Sequence, residues 1–463
     1  MAHRWKVLIV TSLGVFMVFL DGTIVNIAFP AIHRSFPSTP QASHSWVLNA
    51  YNIVFAALLL ASGRIADITG RRRIFFGGLG FFTLGSVLCG LAPAALALDA
   101  ARALQAIGGA MLLPASLALL LPEFPLSMRA TAVGLWGAVG AVAAASGPSL
   151  GSVIVQSAGW RWAFLVNAPV GLIGWLAGRH ILVESRDPSA GRWPDAAGVV
   201  SLSAGMGFLA LGIVEGNDWG WSDPRIVAAL AASAVLLALC VRRSIVHVAP
   251  VIPLALFRVR SFSVANAAAV AFGAAFSAML LAGVLFLTGV WHYSILRAGL
   301  AVTPGPLMAA VFAPIAGRLA DRFGHRVVLI PGALLFGAAM LLYEARVGFR
   351  PAYLAEWLPA ALLSGAGVGL TLPTLGSAAA SSLPPARFGA GSAVASTSRQ
   401  LGFVLGISIL VALLGTPDPA NALAAFHRAW MFCAAAAATT SIACLALGTT
   451  IHGSEPASVP EAA

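Results

Sequence analysis

The chain has 463 residues, of which 59% are hydrophobic and only 9% charged, with a mean hydropathy of +0.91. A soluble domain carries roughly 25% charged residues, so this composition excludes an ordinary cytosolic enzyme, a disordered chain and a secreted disulfide scaffold. Basic residues outnumber acidic ones 27 to 16, yet the arginines stand at the ends of apolar runs and not on one solvated face, which argues against a nucleic-acid partner.

The apolar runs are continuous in Leu, Ala, Val and Gly, and most exceed the ~20 residues a helix needs to cross a bilayer. The alternation of a transmembrane barrel is missing. Turn residues and charges divide the chain into fourteen predicted spans: 7–29, 46–66, 74–92, 95–120, 130–156, 161–182, 196–215, 226–246, 262–290, 298–318, 327–344, 354–377, 389–414 and 429–450. The N-terminal run behind His3, Arg4 and Lys6 has the look of a signal peptide, but Asp21 interrupts it and no small-residue cleavage site follows, so it reads as a retained first span.

Fourteen is even, which puts both termini on one side. Segments on that side hold 18 of the basic residues and those opposite hold seven. The excess makes the first side cytoplasmic and the protein a multi-pass protein of the plasma membrane. Trp160, Trp162, Trp219, Trp221, Trp291, Trp357 and Trp430 fall near outer span ends, where an interfacial belt is expected. Cys89, Cys240, Cys433 and Cys444 all lie in apolar stretches and read as small buried hydrophobes. His247, His292 and His325 sit at span ends without ligand spacing, and Glu215, Asp218 and Asp223 read as a solvated outer loop. No metal or cofactor is expected, and no nucleophile–base set or ATP-binding loop appears, so the protein reads as something other than an enzyme.

Residues 63–73 (GRIADITGRRR) and 317–327 (GRLADRFGHRV) match at a constant offset of 254. Gly63, Asp67 and Gly70 correspond to Gly317, Asp321 and Gly324, and each copy follows the second span of its half. The chain therefore reads as a six-helix bundle at 1–190, two additional helices at 191–255, a second six-helix bundle at 256–452 and a short cytoplasmic tail at 453–463. Repeats of this kind are a transporter architecture. Glycine permits the tight turn, while Asp67 and Asp321 can accept backbone N–H groups of a neighbouring helix or pair with arginines such as Arg71, Arg72 and Arg322. Such loops could latch the halves.

Asp21 lies roughly 13 Å from the outer end of the first span and Arg102 roughly 10 Å from that of the fourth. Their depths allow pairing, and an isolated charge there costs at least ~2.5–3.5 kcal/mol. Low dielectric favours a neutral Asp21 and a nearby Arg102 favours the anion, the balance that proton coupling needs. Asp99, three residues before Arg102 on the same helix face, is an alternative partner. In the fifth span Gly140, Gly147 and Gly151 share one face, permitting close helix approach, and Pro148 bends the helix. Arg399, about ten residues into its span, reads equally as a structural arginine or a gating residue.

These features together resemble the major facilitator superfamily, in particular its fourteen-helix drug/proton antiporter branch. The resemblance is carried by the duplicated loop, by Leu20-Asp21-Gly22-Thr23-Ile24-Val25-Asn26, by Arg102-Ala103-Leu104-Gln105, by Gly140 with Gly147-Pro148-Ser149-Leu150-Gly151, by Trp160-Arg161-Trp162-Ala163-Phe164 with Asn167 and Pro169, and by Ser398-Arg399-Gln400-Leu401-Gly402. Ile68 and Ser152 depart from the family pattern, Ile68 leaving the first latch weaker than the second. The resemblance implies two six-helix bundles plus two central helices. It also implies an antiport hinge in span five, and Asp21, Asn26, Arg102 and Asp99 as proton-coupling or substrate residues. The expected function is proton-coupled export of amphipathic organic compounds such as drugs and antibiotics by a monomer in the lipid bilayer. The alternative is a proton-coupled importer or exporter of one endogenous metabolite.

Overall fold

A computed structural model describes residues 2–37, 39–40, 43–125, 128–187, 193–383, 388–415 and 421–447; the predicted tail at 453–463 lies outside them. Its described residues form helices and no strand. In hydrocarbon every backbone N–H and C=O must be satisfied within its own segment, and helices do this. The first half contains α1 (His3–Ser35), a 3₁₀ turn at Ser43–Ser45 leading into α2 (Trp46–Thr69), α3 (Arg71–Leu91), α4 (Ala95–Leu120), α5 (Arg129–Ala158), α6 (Trp162–Leu165) and α7 (Asn167–Ile181). Then come α8 (Ala196–Val214), α9 (Gly216–Trp219) and α10 (Pro224–Val246). The second half contains α11 (Arg260–Gly289), α12 (Ile295–Val302), α13 (Pro304–Phe323), α14 (His325–Arg346), α15 (Leu358–Ser381), α16 (Phe388–Leu414) and α17 (Ala422–Cys444).

Twelve helical segments among the described residues are long and apolar enough to cross a bilayer. The other two predicted spans are helical as well, each with a local reason for its form. Pro169 has no N–H for the Leu165 carbonyl, so the helix expected over 161–182 breaks there into α6 and α7. The last helix begins at Ala422, seven residues before the predicted 429, and so takes in His427 and Arg428, whose Nη2 donates to the Leu413 carbonyl (3.3 Å).

The chain divides into two compact units, Met1–Gly207 with Leu236–Val251, and Phe208–Val235 with Ile252–Ala463. Each unit repeats one packing pattern. In the first, α3 packs on α4, α2 on α4, α1 on α5 and α1 on α7; in the second, α14 packs on α15, α13 on α15, α11 on α16 and α11 on α17. Glycines set these contacts. A Cβ at Gly108 would collide with the backbone nitrogen of Phe82, and one at Gly367 would stand 2.6 Å from that of Phe336. Gly78, Phe82 and Gly108 thus play the parts of Gly332, Phe336 and Gly367. Within the first unit, Arg243 clamps Asp195 through Nε and Nη2 (2.6–3.0 Å), tying the start of α8 to the end of α10. This hydrogen-bonded pair holds the Asp195 carboxyl below the ordinary carboxylate range. The tie is therefore intact at neutral pH and weakens only as acid protonates Asp195.

The expected tryptophan belt is only partly present. Trp162 and Trp221 are exposed, but Trp160, Trp291, Trp357 and Trp430 are buried. In the second unit Phe286 lies at the centre of an aromatic cluster, with ring centroids 5.5 Å from Trp291, 5.7 Å from Trp357 and 5.2 Å from Trp430. Position near a helix end sets a residue's depth; it does not set the direction in which the ring points. Glu215, expected in a solvated loop, is buried as well. All four cysteines are buried and free.

Gly108→Val forces α3 and α4 apart and is expected to destabilise the protein by about 1–3 kcal/mol or more, read as a lower Tm in detergent. Gly134→Ala, where a Cβ meets nothing within 4 Å, is expected to leave Tm unchanged or raise it.

Candidate functional site

The first unit encloses a buried, hydrogen-bonded polar cluster. Asp21 of α1 is fully buried and Arg102 of α4 is 1% exposed. Arg102 Nη1 donates to Asp21 Oδ2 (2.5 Å) and to Gln105 Oε1 (2.6 Å), and its Nε donates to the Val47 carbonyl (2.9 Å). Gln105 Nε2 donates to Asp21 Oδ1 (2.8 Å) and to Ser86 Oγ of α3 (2.7 Å). The guanidinium also lies over the ring of Tyr51, 4.2 Å from its centroid, and 5.6 Å from that of Phe164. Four helices and the α6 corner thus converge on one charge pair. Burying two charges is favourable only when they pair closely and further hydrogen bonds support them; here Gln105 and the Val47 carbonyl supply those bonds.

Arg102 gives its guanidinium to Asp21. Asp99 is half-buried and makes no ion pair among the described residues. Asn26 donates to the Gly22 carbonyl of its own helix (3.1 Å) and does not reach Asp21. Both Asp21 oxygens are engaged and the side chain has no exposure. Sequence reasoning named Gln105 only within the fourth-span motif and passed over Ser86, Tyr51 and Val47. Gln105 had a signal, since it follows Arg102 by three residues on the same helix face. The others come from separate helices and had none.

Helix α5 is pressed against the other side of α1. A Cβ at Gly147 would collide with Thr23 Oγ1; at Gly151 it would stand 2.5 Å from Ile24 Cγ1, and at Gly140 3.1 Å from Phe19 Cδ2. Pro148 lies within α5 and removes the N–H that would bond Ala144. A helix weakened at Pro148 therefore bears directly on the turn of α1 that carries Asp21.

The two loop copies differ. In the first, Arg71 donates to Asp67 Oδ1 through Nε and Nη2 (3.0 Å each). Glu184, from the segment after α7, accepts the backbone N–H groups of Arg72 (3.0 Å) and Arg73 (3.3 Å) at the start of α3. A carboxylate there satisfies unpaired N–H groups and the helix dipole. Gly70 (φ 130°) makes the turn, with no side chain where the Glu184 carboxylate stands. A Cβ at Gly63 would stand 3.3 Å from Pro114. In the second copy Gly324 turns likewise (φ 86°), but Asp321 is exposed and makes no ion pair among the described residues. Arg322 lies over Phe323 (5.0 Å), and a Cβ at Gly317 would meet nothing within 4 Å. Within its own unit the first copy is held by Arg71 and Glu184. The second copy has His325 at the position of Arg71. Arg399, in α16, is half-buried and makes no ion pair among the described residues.

The model of the Major Facilitator Superfamily matches residues 11–292 and 267–462. The chain belongs to the major facilitator superfamily. Its relatives include the multidrug resistance protein Stp of Mycobacterium tuberculosis, 34% identical over 410 residues, 88% of this chain and 75% of that protein. They also include the tetracenomycin C resistance and export protein of Streptomyces glaucescens (32%; 89% and 76%) and a puromycin resistance protein of Streptomyces alboniger (35%; 88% and 81%). A solved auto-inhibited peptide transporter of the POT family shares the fold, with a TM-score of 0.71 at 17% identity over 99% of both chains. The chain is accordingly a multi-pass membrane transporter. Within that fold, the position of Arg102, six residues before Gly108, is taken by Ala361 before Gly367 in the second unit, and Ser86 corresponds to Met340. The glycine scaffold is duplicated, but among the described residues the buried charge pair is found in the first unit.

Arg102→Met strands Asp21 in the bundle and is expected to destabilise the unit by about 3–5 kcal/mol. Pairing it with Asp21→Leu is expected to restore most of that loss, measured by thermal unfolding in detergent.

Proposed function

We propose that this transporter is a proton-coupled antiporter that exports amphipathic organic compounds, drugs and antibiotics among them, across the plasma membrane by alternating access. The observation that carries the reading is the buried Asp21–Arg102 pair held against the Pro148 helix. The resistance and export roles named for its relatives support the substrate class. The proposed topology has fourteen spans, with bundles at 1–190 and 256–452 and two additional helices between them. Both termini and the loops at 63–73 and 317–327 face the cytoplasm, and the working unit is a monomer.

In the proposed cycle Asp21 handles the proton and other side chains hold the substrate. A proton arriving from outside adds to an Asp21 oxygen and cancels its charge. Arg102 Nη1 then faces a neutral acceptor, and the hydrogen bonds joining α1 to α4 through Arg102 and Gln105 weaken. Helix α5, seated on Thr23 and Ile24 and weakened at Pro148, takes up the resulting shift of α1. Loss of the proton to the cytoplasm restores the pair. Gly140, Gly147, Pro148 and Gly151 act as the hinge. The loop residues Gly63, Asp67, Gly70, Arg71 and Arg72, with Gly317, Asp321, Arg322 and Gly324, act as conformational latches, and Arg399 acts in gating.

Asp21→Asn preserves shape and removes the titration. It is expected to abolish proton-driven export of puromycin or ethidium in everted vesicles from a pump-deficient host. Export at the wild-type rate by this variant would overturn the assignment. A wild-type rate insensitive to an uncoupler would overturn the proton coupling itself.

A further inference from the structure

A second pair of titratable groups lies at the other end of α1, outside the mechanism above. His33, near the end of α1, is half-exposed, and His44, in the turn before α2, is 3% exposed. Their rings meet edge to face with centroids 4.7 Å apart, and their Nδ1 atoms are 3.3 Å apart. His44 Nδ1 is also 3.0 Å from the Pro40 carbonyl. A carbonyl can only accept, so the hydrogen of neutral His44 is on Nδ1, shared between Pro40 and His33. His44 Nε2 is therefore a bare lone pair, and it is buried with no partner among the described residues. Charged groups on the packed elements include Arg34 beside His33, Arg161 at the α5–α6 corner, and Asp99 and Arg102 of α4. Among titratable groups, His33 is the one that acts on His44.

The same condition recurs between this pair and Asp21. Ser45 Oγ, Tyr51 Oη and both amide atoms of Asn167 are buried without a partner among the described residues. Ser45 adjoins His44 and precedes by two residues Val47, whose carbonyl holds Arg102. Tyr51 lies roughly 10 Å of helix rise below His44, its ring under the Arg102 guanidinium. Asn167 is at the level of Asp21: on α7, Gly178 faces Val10, Gly174 faces Leu13 and Gly171 faces Met17 of α1, and one further turn brings Asn167 to residues 20–21. Buried polar groups require hydrogen-bond partners, and a run of them with no protein partner is what holds internal water.

We propose that His44 is a proton-relay site, which loads a proton from the outer face on Nε2 and passes it, through water held by Ser45, Tyr51 and Asn167, to Asp21. The inference rests on the antiport reading and adds its delivery route. In the first step hydronium releases its proton, an N–H bond forms on His44 Nε2, and the resulting imidazolium is stabilised by the Pro40 and Phe36 carbonyls. In the second step that N–H bond breaks, an O–H bond forms on Asp21, and His44 returns to neutral. The charge stays one proton's worth throughout, and no other reactant is consumed.

The test uses the full-length protein in phosphatidylethanolamine–phosphatidylglycerol liposomes carrying a trapped pH dye. The probe is whichever of puromycin and ethidium the wild-type protein exchanges. His44→Gln is expected to slow probe-driven proton movement at least tenfold and to flatten its dependence on outer pH between 5 and 8. Probe–probe counterflow, which moves no net proton, is expected to stay within twofold of wild type. Asn167→Leu is expected to slow proton movement in the same way. Wild-type proton movement and pH profile in His44→Gln would overturn the relay. So would parallel loss of counterflow, which would make His44 structural. Failure of the antiport reading has a different signature: proton movement that persists in Asp21→Asn.

Discussion

A carboxylate and a guanidinium held together inside hydrocarbon constrain everything around them. Neither can be left alone there without a cost of several kcal/mol, so the fold must bring Asp21 and Arg102 to one point and keep them there. It does so with Gln105, which bonds to both partners, and with Ser86, Val47 and Tyr51, each from a helix that packs against α4 or is braced by it. The pair is therefore a brace among four helices. Its strength depends on one charge that a proton can cancel. A change of protonation inside such a brace alters packing directly, without a signal having to travel.

The duplicated architecture separates scaffold from function. Gly78, Phe82 and Gly108 recur as Gly332, Phe336 and Gly367, since close helix approach in lipid depends on small residues wherever it is needed. The polar brace does not recur: Ala361 and Met340 stand where Arg102 and Ser86 would be. A second buried ion pair would add a desolvation penalty. The loop copies show the same division, with Asp67 and Glu184 anchoring the first while Asp321 stays exposed.

The placement of the flexible element follows from the same economy of contacts. Helix α5 meets α1 through glycines at Thr23 and Ile24, within one turn after the buried acid, and its proline lies at that level. The α1 segment is thus held by the brace on one side and by a bendable helix on the other. The same helix carries His33 near its end, so a single span holds both the buried acid and the partner of His44.

Much was legible from residue order alone. Composition settled the membrane class, because uncharged runs of that length cannot be solvated. The loop repeat disclosed two related halves, because a tight turn between packed helices demands glycine at fixed spacing. Depth along a helix follows from counting residues, and this put Asp21 and Arg102 within reach of each other. Direction around a helix does not follow in so uniformly apolar a chain, where periodicity is lost. For that reason Trp291, Trp357 and Trp430 were expected at the lipid interface and are instead packed on Phe286, and Glu215 proved buried. Only the tertiary structure could choose Asp21 over Asp99 for Arg102, gather Ser86, Tyr51 and Val47 around them, or bring Glu184 to the start of α3. Each of these contacts joins residues far apart in the chain, and helix packing, which local sequence does not encode, decides which of them meet.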